Sequence, residues 1–338
     1  MNNRQNFKDT NRTAKVCIIS ASLLAAAVVA ALLLGSAKLS PLQVVSALAG
    51  RQSEEINVIV QNIRLPRVFA AVVAGAGLSV AGILLQAVTD NDLASPNIIG
   101  INSGAGFAVI VVIALFPQVT YLLPFAAFLG AFGAAMLIVY TSSRIGVSKS
   151  TVVLAGVALT AILNACISFI SVADTDTMSV YSHFSVGGLA GVTTGEIVLP
   201  SVLVAISFAV AMFLSQQISI LCLGDSLAAS LGVRVRLMRI ICLVCASLCA
   251  ASVVSFAGLL GFVGLVVPHI ARALVGKDVK ASLAVSALLG AVLVVSADMF
   301  GRIILAPSEV PVGIVMAFIG APFFLYLLLR RKHYAENK

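Results

Sequence analysis

Between Leu93 and Ser143 the chain runs for 51 residues without an Asp, Glu, Lys or Arg. Helices of soluble domains average only three or four turns. A bilayer core about 30 Å thick, by contrast, takes roughly 20 apolar residues per crossing. Pro117-Gln118 divides the run into two spans, because proline lacks the N–H that a continuing helix needs. Apolar windows elsewhere, all but one of them free of charge, mark eight more. They are Val16 to Gly35, Val68 to Thr89, Ser150 to Ala173, Ile197 to about Ser215, Ile240 to Phe256, Gly258 to Val275, Ala281 to Ala297 and Val310 to Leu329. The expected fold is therefore all-α, a polytopic membrane protein with ten transmembrane helices. Composition agrees: only 10% of 338 residues are charged and 60% are apolar, too few charges to coat a soluble surface.

The basic residues orient the spans. Arg4, Lys8, Arg12 and Lys15 precede the first, and Arg330, Arg331 and Lys332 follow the last, so both termini are expected in the cytoplasm. An even number of crossings follows, which makes the short, glycine-rich Gly258 to Val275 a span. Sixteen Lys and Arg then lie inside and five outside, namely Lys38, Arg51, Arg64, Arg67 and Arg302. Residues 1–15 read as a cytoplasmic tail, 16–330 as the transmembrane domain and 331–338 as a second tail. The first apolar run has the basic flank of a signal peptide, but its length and the equally apolar chain beyond it favour a retained helix. The net charge of +8 belongs to loops beside anionic lipid rather than to a nucleic-acid face, since no basic surface interleaved with aromatics is visible.

The spans lack the groups that power other transporters. Asp298 and Glu309 sit at span ends, and no acid falls at mid-membrane, where proton and ion relays need one. Gln86 and Asn164 are the main polar side chains inside the helices, and interhelical hydrogen bonding accounts for them as well as a substrate role does. No G-x-x-x-x-G-K-[ST] loop is present, so any ATP is hydrolysed by a separate subunit. His269, in Val267-Pro268-His269-Ile270-Ala271-Arg272, has no metal-binding companion at helical spacing and reads as a helix-end residue. Cys242, Cys245 and Cys249 form one helical stripe of small buried hydrophobes. No catalytic group, metal or cofactor is expected. A secondary transporter or channel is disfavoured by the missing acids, and an intramembrane enzyme by the missing nucleophile–base pair.

Two polar segments are long enough to carry structure. Asp174 to Glu196, expected outside, holds acids and His183 but no Lys or Arg. Gln216 to Arg239, expected inside, contains Leu223-Gly224-Asp225-Ser226-Leu227-Ala228-Ala229-Ser230-Leu231-Gly232-Val233. Leu227 and Leu231 are four apart between two glycines that can start and stop a short helix. Such an element, too short to span, suits docking to another protein.

The order of these motifs resembles one family. Arg64-Leu65-Pro66-Arg67 precedes Gly75-Ala76-Gly77-Leu78-Ser79-Val80-Ala81-Gly82 and Gln86, and Asn91-Asp92-Leu93-Ala94-Ser95-Pro96 with Gly100 to Ala105 follows. Next come Leu223-Gly224 to Leu231-Gly232-Val233, then Gly261-Phe262-Val263-Gly264-Leu265 with Pro268-His269 and Arg272. Asp298, Arg302, Glu309-Val310-Pro311-Val312-Gly313 and Gly320-Ala321-Pro322-Phe323-Phe324 close the series. From about residue 40 to 330 the chain is similar to permeases of the iron-siderophore, haem and vitamin B12 ABC importers.

That resemblance implies a permease that pairs with a second permease, sits on an ATP-binding-cassette ATPase dimer and receives an extracytoplasmic substrate-binding protein. It implies that Arg64, Arg67 and Arg302 meet glutamates of the binding protein; the other reading of these residues is interfacial anchoring at helix ends. It also implies that Leu223, Gly224, Ala228, Leu231, Gly232 and Val233 belong to the element that couples to the ATPase. Asn91 and Leu93 match part of a cytoplasmic gate, with the Ser148–Thr151 loop a candidate for the rest. Asp92 stands where the family usually has proline, which leads to the expectation of a more flexible gate loop.

Overall fold

The computed structural model describes residues 2–37, 39–97, 99–145 and 149–336, and no strand occurs among them. Helix α1 (Asn2–Leu33) is followed by the short α2 (Pro41–Leu48) and α3 (Glu54–Asn57). A π-helical segment, Val58–Arg64, runs directly into α4 (Leu65–Thr89). Then come α5 (Ile101–Leu115), α6 (Leu123–Ile145), α7 (Lys149–Ala173), α8 (Thr175–Val186) and α9 (Thr194–Phe213). The series continues through α10 (Ser215–Leu221), α11 (Asp225–Ser230), α12 (Val235–Ala257), α13 (Val263–Val275), α14 (Val279–Ile304) and α15 (Val312–Glu336).

Among the described residues, seven helical stretches are long and apolar enough to cross a bilayer: Asn11–Leu33, Glu54–Thr89, Thr120–Thr141, Val152–Ala173, Thr194–Phe213, Val235–Ala257 and Val279–Ile304. Three shorter apolar helices, Ile101–Leu115, Val263–Val275 and Val312–Leu327, stand where the third, eighth and tenth spans are expected. Length alone does not carry these three across.

The boundary that bears on the arginines differs from the expectation. The second span begins at Glu54 rather than Val68, so Arg64 and Arg67 lie on a continuous helix, not in a loop before it. Pro66 hides this continuity in the sequence. A proline ring clashes with the carbonyl four residues back in an α-helix. Here the turn just before it is widened, with the Leu65 amide reaching back to the Val60 carbonyl, and the chain passes Pro66 without breaking.

Helices α4, α12 and α14 form the buried centre, whereas α1 and α7 expose most of their apolar surface, as helices facing lipid or another subunit must. Small residues set how closely the central helices approach. A methyl group added at Gly75 of α4 would lie 2.0 Å from the Gly290 carbonyl oxygen of α14, and one at Gly82 would lie 2.0 Å from that of Gly264 in α13. Apolar side chains gain little from leaving lipid for protein, so such backbone-to-backbone packing supplies the attraction between spans. Outside the spans, Asp174 caps α8 by accepting from the Asp176 and Thr177 amides. The Thr177 hydroxyl and amide hold its carboxyl below the usual carboxylate range.

Candidate functional site

The chain carries three groups of residues to consider: an arginine cluster, the loop after α4, and the segment between α10 and α12.

The continuous helix leading into α4 brings Arg64 and Arg67 beside the last turns of α14. Arg67 donates from Nε to both oxygens of Asp298 at 3.1 and 3.0 Å, and from Nη2 to Oδ1 at 2.9 Å. Its Nη1 donates to Oε2 of Glu309 at 2.6 Å. Arg302, one turn beyond Asp298, pairs with the same carboxylate at 3.2 Å and donates to the Ala31 carbonyl at 3.1 Å. Arg64 caps the end of α1, donating from Nη1 to the Leu32 and Leu33 carbonyls at 2.7 and 3.1 Å and from Nη2 to the Ala37 carbonyl. The three arginines are only 4, 7 and 3% exposed. One carboxylate serving two guanidiniums offsets much of the cost of removing them from water.

The structure therefore gathers the three expected docking arginines at one place but turns their donors inward. Asp298 is 2% exposed. Glu309 is the more accessible acid and also accepts from the Ser36 hydroxyl at 3.3 Å. Sequence reading missed the role of both acids, although Asp298 and Arg302 are spaced one helical turn apart. A cavity of about 260 Å³ opens beside the cluster, lined by Arg67, His183, Phe256, Ala257 and Glu309 among others.

Helix α4 ends at Asp90, which takes a left-handed conformation with φ of 49°. The loop then folds on itself. Oδ1 of Asn91 accepts the Leu93 amide at 3.0 Å, and its carbonyl accepts the Ala94 amide at 3.0 Å. Buried Gln86 ties the loop to the bundle, donating to the Ala94 carbonyl at 3.3 Å and the Gly264 carbonyl at 3.4 Å. Arg272 of α13 donates to Oε1 of Gln86 and pairs with Asp92 at 3.3 Å. Where the family usually has proline, Asp92 thus makes an ion pair that a proline could not make. Gln86 does interhelical bonding, one of the two roles open to it. Asn164 lies exposed on α7. Of the Ser148–Thr151 loop, Ser148 and the neighbouring side chains lie outside the described residues.

Gly224 and Gly232, with φ of 109° and 82°, bracket α11. The Val233 amide closes the segment onto the Ala228 carbonyl at 3.0 Å. Leu223, Leu227 and Leu231 stand exposed at helical spacing, while Ala228 is fully buried on the opposite side. Leu227 thus shares an exposed apolar row with Leu223 and Leu231. Nη2 of Arg239 in α12 donates to both oxygens of Asp225 at 2.6 and 2.8 Å. That partnership, across 14 residues, has no signature in the sequence.

His269 packs edge-on against Phe323, with ring centroids 6.0 Å apart. Cys242, Cys245 and Cys249 are buried free thiols of the core. Among the described residues, no three His, Cys, Asp or Glu side chains come together as a metal site.

The model of the FecCD transport family matches residues 23–330. The chain belongs to that family. Among relatives, the Fe(3+)-citrate import system permease protein YfmE of Bacillus subtilis is 39% identical over 296 residues, covering 87% of this chain and 89% of YfmE. The ferric enterobactin transport system permease protein FepD of Escherichia coli is 37% identical over 314 residues, covering 91% of this chain and 93% of FepD. A solved structure, the inward-facing conformation of a metal-chelate type ABC transporter, superposes with a TM-score of 0.84 at 28% identity, covering 94% of this chain and 99% of that one. This FecCD-family chain is a multi-pass membrane protein built as an ABC transporter permease. The motifs that suggested the family span the matched region, and the arginine cluster, the loop after α4 and the segment between α10 and α12 all fall within it.

Proposed function

We propose that this FecCD-family permease carries a ferric chelate of the siderophore type inward across the bacterial cell membrane, driven by a separate ATP-binding-cassette ATPase. The observation that carries this reading is the family match over residues 23–330 together with relatives named for ferric citrate, achromobactin, ferric hydroxamate and enterobactin. These chelates differ in shape and charge, so the class of cargo follows from them and the individual chelate does not. No phosphate-binding loop occurs in the chain, which supports ATP hydrolysis by a partner. The transporter would comprise two permeases, two ATPases and an extracytoplasmic binding protein, with both permease termini in the cytoplasm. Residues 1–15 and 331–338 would be the cytoplasmic tails flanking the transmembrane domain.

Each group of residues then has a task. The exposed Leu223, Leu227 and Leu231 would sit in an apolar cleft of the ATPase, while Ala228, between Gly224 and Gly232, anchors the segment and Val233 leads back to the bundle. ATP-driven closure of the ATPases would push this element and rock the spans. Asn91 and Leu93 would close the cytoplasmic end, with Gln86 and Arg272 holding their loop to α4 and α13. Arg64, Arg67 and Arg302 would guide the binding protein through complementary charge. Because Arg67 is already bonded to both internal acids, acidic side chains of the partner would exchange with Glu309, the accessible one of the two.

The deciding experiment is purification of the tagged chain from its native membrane. Recovery of an ATPase whose hydrolysis rises when a loaded binding protein is added supports the importer, and the ligand on that protein names the cargo, a ferric chelate rather than haem or cobalamin. A chain that purifies alone and moves solute without ATP overturns it.

A further inference from the structure

Helix α11 has only six residues, too few to hold a helical form by itself. On either side of it the chain bends at glycines where an added methyl group would meet nothing within 4 Å. Among its contacts with the bundle are two of opposite chemistry. Ala228 is an apolar peg, 0% exposed. The other contact is the pair between Asp225, at the first position of α11, and Arg239, one turn into α12. Asp225 is half exposed while the Arg239 side chain is only 3% exposed, so a buried donor on the long helix grips an exposed acceptor on the short one.

Helix α12 is itself a rod of 23 residues, about 34 Å long. It lies in the buried centre of the bundle. Phe256 and Ala257 at its far end line the cavity that also contains Arg67 and Glu309. The Ala257 carbonyl there accepts the Gly188 amide at 2.9 Å. One rigid element thus joins the coupling segment to the arginine cluster.

We propose that Asp225 and Arg239 are the positioning residues that transmit displacement of α11 to α12, and through it to the far end of the permease. This rests on the segment being the ATPase dock. A guanidinium suits the task because its planar fork resists reorientation, whereas an ammonium on a flexible stem lets its partner swing. The peg alone resists compression but not sliding, since apolar contact has no direction. The charge-assisted bonds supply the direction.

The test uses the complete transporter in liposomes. The readout is chelate taken up per ATP hydrolysed, with whichever of ferric citrate, a ferric hydroxamate or ferric enterobactin the unaltered transporter accepts. Asp225→Asn and Arg239→Gln are each expected to lower this ratio about tenfold, the effect of losing one charged hydrogen bond. Arg239→Lys should fall between, and the ATPase should still co-purify with all three. A helix that merely needs the pair to fold would lose the ATPase instead of the ratio. An unchanged ratio in Asp225→Asn overturns the link even if Arg239→Gln fails to fold. Leu227→Glu is run in parallel. If it leaves the ATPase bound and coupled, the segment is not the dock and the link falls with it. If it detaches the ATPase while Asp225→Asn couples normally, only the link is wrong.

Discussion

Asp298 offers the most direct measure of how the arginine cluster is held. It is 2% exposed and shared by two guanidiniums that are themselves 7 and 3% exposed. Asp298→Asn keeps the size and one carbonyl acceptor but removes the charge, leaving Arg302 without its carboxylate and Arg67 with Glu309 alone. Breaking a buried pair from one side costs about 3–5 kcal/mol. An unfolding entropy of about 2.1 cal/mol/K per residue over 338 residues converts 4 kcal/mol into a drop in Tm of about 6 °C. The chain supplies its own probe. It has no Trp, but Cys242, Cys245 and Cys249 are buried and become reactive toward a thiol dye only as the core opens. Heating the purified protein in detergent with such a dye gives the shift. The combined Asp298→Asn and Arg302→Gln variant should lose much less than the sum of the two alone, because both act on one pair. A Tm for Asp298→Asn within about 1 °C of the unaltered protein would refute the view that this carboxylate neutralises the two arginines.

Glu309→Gln frees Arg67 from its accessible acid, so an acidic binding protein should dock about threefold more tightly, with a steeper salt dependence; titration on immobilised transporter measures it, and an unchanged affinity counts against exchange at this site. Gly75→Val would force side-chain atoms into the Gly290 carbonyl, costing at least the 1–3 kcal/mol typical of overpacking, and should leave little monodisperse protein after gel filtration. Gly232→Pro demands φ near −65° where the chain has 82°, so uptake and ATPase coupling should vanish while membrane insertion, read by fractionation, persists. Asp92→Asn removes the ion pair that pins the loop after α4, and a maleimide should then label Cys222, which lines the same cavity, about two- to threefold faster.

Two helices join distant ends of the bundle. The cavity beside Asp92, about 430 Å³, is bordered by Gln86, His269 and Arg272, and it lies where α4 and α13 finish. Helix α4 runs from the arginine cluster at its start to Gln86 and the loop at its end. Helix α12 runs back from the α11 segment to the cavity beside the cluster. Along α4 this path is packed backbone to backbone against α13 and α14. The tight Gly75–Gly290 and Gly82–Gly264 contacts fix the packing of α4 against α14 and α13.

By itself the sequence determined that this is a helical membrane protein, where its apolar segments lie, and which family it belongs to. Those properties come from local quantities: the length of uncharged runs, the placement of Lys and Arg, and the order of short motifs along the chain. It also pointed to Arg64, Arg67 and Arg302, to the leucine-rich segment before α12, and to the loop after Thr89. Only the tertiary structure decided what these residues touch. The joining of Asp298 to Arg67 spans 231 residues, that of Arg272 to Gln86 spans 186, and neither follows a helical period. The continuity of the helix through Pro66 depends on a widened turn that residue type alone does not reveal. Ion pairs in a low-dielectric core are set by where packed helices bring charges together, and that is a property of the whole fold.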